Sequence, residues 1–122
     1  MDKEQALHNF WNSFDIPAYD ETTVPDKAAF PYITYSVSTD SLDNMVSLHA
    51  NLWYKSTSWK AITEKAEAIA ERVKGNGYEL AAFDGGYIYL TGGTPFAQRI
   101  ADPEADIKRI YINIEAEFLC AY

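Results

Sequence analysis

The chain has 122 residues, with 18 aspartates and glutamates against 10 lysines and arginines, for a net charge of −8. A hydrophobic content of 48% with 15% aromatic residues excludes disorder, and the length fits one domain, residues 1–122, around a single core. Scattered cations in an acidic chain exclude tight binding to a nucleic-acid backbone, and no apolar run is long enough to span a bilayer.

Asp2 is placed to cap a first helix, with Gln5 three positions later. Leu7, Phe10, Trp11 and Phe14 form its apolar stripe, and Ile16-Pro17 ends it. The stretch from Pro17 to Pro31, rich in proline and acids, reads as an extended loop. Two strands follow. Ile33, Tyr35 and Val37 alternate with Tyr32, Thr34 and Ser36; Val46, Leu48, Ala50 and Leu52 alternate with Ser47, His49, Asn51 and Trp53. The polar linker from Thr39 to Asn44 makes them an antiparallel hairpin with Asp40 and Asp43 at its tip.

Thr57 or Ser58 then caps a second helix whose buried stripe is Trp59, Ile62, Ala66, Ile69 and Val73. Gly75 and Gly77 stop it, where a left-handed cap is favoured. A second hairpin joins Tyr78–Phe83 to Tyr87–Leu90 through Asp84-Gly85-Gly86. From Thr94 to Asp106 the chain reads as a long irregular loop carrying Phe96 and Arg99. The last strand alternates strictly: Ile110, Ile112, Ile114, Ala116 and Phe118 on one face, and Tyr111, Asn113, Glu115 and Glu117 on the other. The second strand, second helix and third strand read as a crossover unit with those two strands parallel. The expected fold is α+β: a mixed β-sheet, built from two hairpins plus a long C-terminal strand, packed against two helices.

The chemical candidates each have a plainer explanation. Gly92-Gly93-Thr94 lacks the lysine of a phosphate loop and fits a strand exit. Glu115 and Glu117 share a strand face, but no base or acid lies near them in sequence, so a solvated or subunit-facing edge is the reading. His8 and His49 stand alone, each on an exposed face, without the spacing of metal ligands. Cys120 has no second cysteine and no activating base, and fits as a small apolar residue near the end of the last strand. Neither an enzyme nor a cofactor or metal site is expected. Nine tyrosines and three tryptophans exceed what one small core readily buries. Some of Tyr54, Tyr87, Tyr89, Tyr111 and Tyr122 must reach the surface, either lining the exposed sheet or anchoring a partner.

Three stretches carry a likeness to a known family. They are Pro31-Tyr32-Ile33-Thr34-Tyr35, Asn51-Leu52-Trp53-Tyr54-Lys55-Ser56-Thr57-Ser58-Trp59, and Gly93-Thr94-Pro95-Phe96-Ala97-Gln98-Arg99 followed by Arg109-Ile110-Tyr111. From Pro31 to Tyr122 the chain resembles the tail terminator, or tail completion, proteins of long-tailed bacteriophages and prophages, encoded in their head–tail gene clusters. The resemblance implies an α+β protein that forms a ring, usually a hexamer, on the head-proximal end of the tail tube. Such a protein is made in the bacterial cytoplasm and ends up in the virion. Its implied partners are itself, the major tail tube protein and the head–tail connector proteins, while DNA passes through without specific binding. The expected interface residues are Phe96, Arg99, Asp102, Arg109 and Tyr111, and Asp40 and Asp43 are candidates to face the lumen. The plainer alternative has Phe96 packing over its own sheet and Arg99 pairing with Asp102 or Glu104. Two other functions stay open: a head–tail connector or joining protein, and, from another class, a small dimeric ligand-binding α+β domain.

Overall fold

The carboxylate of Asp2 accepts the Gln5 N–H at 2.7 Å and so closes the start of helix α1 (Lys3–Trp11). The computed structural model describes residues 2–37 and 45–120, with Cys120 described by its backbone alone. Ala6, Leu7, Phe10 and Trp11 are the buried face of α1. Phe14, expected on the helix, lies just past its end but is still buried. Its ring stands edge-on to Phe10, with centroids 5.3 Å apart, and Phe10 in turn meets Trp11 at 4.9 Å. These rings close one end of the core.

After α1 come β1 (Ala18–Asp20), β2 (Tyr32–Tyr35), β3 (Met45–Lys55), α2 (Lys60–Lys74), β4 (Glu79–Phe83), β5 (Gly86–Ile100) and β6 (Ile107–Cys120). The strands form one mixed sheet in the order β1-β2-β3-β6-β5-β4, curled into a half-barrel with two helices. The expected α+β fold is therefore present, with both hairpins and the long last strand in place. The Asp84-Gly85 turn is a tight two-residue connection. Phe83 pairs with Gly86, and Gly85 takes a φ of 95° that a side chain would strain.

Four local expectations need correction. The stretch after Pro17 is not all loop, because Ala18–Asp20 pairs parallel to β2 as a short edge strand. Three residues are too few to show an alternating pattern. The second helix has Trp59 rather than Thr57 or Ser58 at its cap position, while the Ser58 hydroxyl accepts the Lys60 N–H at 3.1 Å. Gly75 stays right-handed, and the left-handed residue that follows this helix is Gly77, at φ 87°. Most of the predicted loop from Thr94 to Asp106 is strand. Between Gly92 and Ala97 the register shifts, and β5 then pairs with β6 again as far as Ile100. Pro95 sits inside that bulge, where its missing N–H breaks no ladder bond.

The strand direction expected of the crossover is also wrong. Strands β3 and β4 are separated by β6 and β5, and all three pairings from β3 across to β4 are antiparallel, so β4 runs opposite to β3. The place beside β3 belongs to β6, which pairs with it from Met45 to Lys55 and so keeps β4 at the far edge. The core lies on the helix side of the sheet. Leu48, Ala50 and Leu52 of β3, Ile112, Ile114, Ala116 and Phe118 of β6, and Ile88 and Leu90 of β5 meet the α2 stripe Ile62, Ala66, Ile69 and Val73.

Candidate functional site: an open sheet face and a groove beside α2

Because side chains alternate across a strand, the partners of the core residues form a second face that neither helix covers. At one end of this face the rows are aromatic. Tyr32 stacks on Trp53, with centroids 6.3 Å apart and planes 20° apart. The Arg109 guanidinium lies 4.9 Å above the same Trp53 ring, and its Nε donates to Asn51 Oδ1 at 2.8 Å. Trp53 Nε1 donates to Thr34 Oγ1 at 3.0 Å, so both Trp53 and Arg109 are held in place by neighbouring strands. The middle of the face is polar. His49 stacks on Tyr111 at 5.3 Å and meets the Glu21 carboxylate at 3.0 Å. Ser47 donates to Glu115 at 3.0 Å.

The other end of the face is largely apolar, and among the described residues nothing covers it. Register places Leu80, Tyr89, Glu117 and Met45 in one row, and Ala82, Tyr87 and Leu119 in the next. Tyr87 keeps 52% of its surface exposed, Met45 50% and Leu80 43%. Tyr78 stacks on Tyr89 beside them, at 5.3 Å. Exposed apolar side chains are thus grouped at this end of the face.

On the opposite, helix side, α2 and the far half of β5 enclose a groove of about 270 Å³. Its walls include Ala66 and Ala70 from α2, Phe96 and Ala97 from β5, and Ile110 from β6. Three cations stand over rings in or beside it. Arg99 lies 4.7 Å from the Trp59 centroid, and Lys74 lies 5.1 Å from that of Phe96. Lys108 approaches Trp59 from β6, at 5.5 Å.

The residues singled out in the sequence are thus divided between two faces. Phe96 and Arg99 belong to the groove, whereas Arg109 and Tyr111 belong to the open face. Phe96 is half-buried against the core, as the plainer alternative held, but Arg99 stacks on Trp59 instead of pairing with an acid. Asp102 joins neither group; its carboxylate accepts the Glu104 N–H at 3.0 Å and shapes the turn before β6. Asp40 and Asp43 lie outside the described residues. His8, expected on an exposed face, is half-buried and meets the Tyr35 hydroxyl at 3.0 Å. Sequence reasoning missed Trp53 and Trp59 as platforms for cations. The signal was faint, because the arginines that use them lie 40 or more positions away along the chain.

Among the described residues no group of three histidines, cysteines, aspartates or glutamates gathers to hold a metal, and no helix is long and apolar enough to cross a membrane. Burial raises the Tyr54 hydroxyl above its ordinary pKa, and it raises Tyr35 too, helped there by the nearby charges of Asp20 and Glu4. Both faces have the make-up of contact surfaces: aromatic anchors, arginines on rings and exposed apolar residues. No protein-family model matches the chain, and no curated protein matches its sequence.

Proposed function

We propose that this chain is a structural virion protein that forms a ring at the head-proximal end of a phage tail tube, where it ends tube polymerisation and prepares the tail for head joining. The observation that carries the reading is the apolar strip at Met45, Leu80, Tyr87 and Leu119, exposed among the described residues on a sheet face without helices. A lone soluble domain gains nothing from such a surface, whereas a subunit buries it on assembly. The stretches that resemble tail terminators supply the β5 and β6 wall of the groove and the aromatic end of the open face, while the α2 wall of the groove and the apolar strip lie outside them. The net charge of −8 suits a channel through which DNA slides without sticking.

Electron microscopy of tails assembled with the protein tests this reading. A ring at one end of the tube is the expected result. Finding the protein along the whole tube, or absent from purified particles, would count against it.

A further inference from the structure

The groove and the apolar strip lie on opposite faces of the sheet and near opposite ends of the β5–β6 ribbon. From Ile110 at the groove to Leu119 in the strip, β6 advances roughly 30 Å at the usual rise per residue. Their chemistry is complementary. The groove's lining mixes apolar residues with Thr63, Glu67, Gln98 and Arg99, and among the described residues Arg99, over Trp59, and Lys74, over Phe96, stand on rings with no carboxylate within ion-pair distance. The strip is apolar and carries an acid, because Glu117 sits in its row between Tyr89 and Met45. One copy therefore carries both halves of a contact, in places where it cannot join them itself. Two unlike patches on one chain join copies head to tail, and such a chain of contacts closes into a ring or runs on as a filament.

We propose that the groove of one copy receives the strip of the next, with Arg99 facing Glu117 of the neighbour and the neighbour's Tyr87 and Leu119 covering Phe96. This names the self-contact of the ring proposed above and rests on that reading for closure, but the pairwise contact needs no tail tube. It also gives the two ends of the β5–β6 ribbon one shared purpose. Opposite charges brought together between apolar surfaces fix the register of the contact, and like charges there oppose it strongly.

Charge exchange tests the pairing. Sedimentation velocity is run up to millimolar concentration on wild type, Arg99→Glu, Glu117→Arg and the double variant, with thermal melting by circular dichroism to show that each is folded. Each single reversal should weaken association by about tenfold or more, and the double variant should recover to within roughly threefold of wild type. Alanine at Leu119 provides a second, uncharged probe and should also weaken association. Single variants that associate like wild type, or a double variant no better than the weaker single, would overturn this contact. A wild type that stays monomeric to millimolar concentration would overturn it as well, while leaving a ring templated by the tube intact. The converse outcome, in which exchange restores oligomers that never appear at tail ends, would keep the contact and remove the ring reading.

Discussion

Among the described residues, Trp11 Nε1 and Thr63 Oγ1 are buried without a hydrogen-bond partner. A polar atom left so loses its hydration and gains nothing in return. Thr63 lies on α2 one position after the fully buried Ile62, so valine would keep the branched shape and remove the orphan hydroxyl. Thr63→Val should raise stability by about 1 kcal/mol, seen as a higher urea midpoint with an unchanged slope. Tyr35 gives a second test at this scale. Its folded pKa is raised, so its neutral form is favoured more in the folded state than in the unfolded chain, where it titrates near about 10. That contribution is fully present below the unfolded value and is lost as pH climbs through the folded one. Wild type should therefore lose stability above pH about 10, and Tyr35→Phe should lose less over the same range, measured by urea melts at successive pH values.

The bulge in β5 determines where the groove sits. A Cβ on Gly93 would lie 2.8 Å from the Asn113 Cβ, closer than such atoms come, so only glycine lets β5 cross this close to β6 before the register shifts. The Asn113 amide then donates to the Pro95 carbonyl at 3.0 Å and holds the bulge against the neighbouring strand. Gly93→Ala should destabilise the fold by about 1–3 kcal/mol, because backbone must shift to make room. A melting temperature within a degree or so of wild type would show that β5 has room to spare. These elements also show what a sequence can and cannot reveal. The helix stripes, the Asp84-Gly85 turn and the alternation of β6 were legible because each is encoded by neighbours a few residues apart. The second half of β5 was not, because Gly-Gly-Thr-Pro looks like a loop until β6 supplies the edge it pairs with. The direction of β4 depends on which strand takes the place beside β3, and that choice is made by contacts between distant parts of the chain. The groove was half legible: Phe96 and Arg99 stood out, but the tryptophan under Arg99 lies on another element.

At the scale of the whole molecule, charge and surface act together. With 18 acids and 10 strong bases the chain is net negative, a balance that opposes the approach of duplex DNA, while Arg99 and Lys108 gather locally at Trp59. The free protein should show no retention of duplex DNA even at low salt, where electrostatic attraction is strongest; micromolar binding there would argue against a channel that DNA merely traverses. The central claim is that the protein ends tube growth, and this can be measured directly. Purified tail tube protein is allowed to polymerise with increasing amounts of this chain, and tube lengths are measured by electron microscopy. The account predicts shorter tubes as the ratio rises, with this protein at one end only. Tubes of unchanged length, or tubes decorated along their sides, would contradict it.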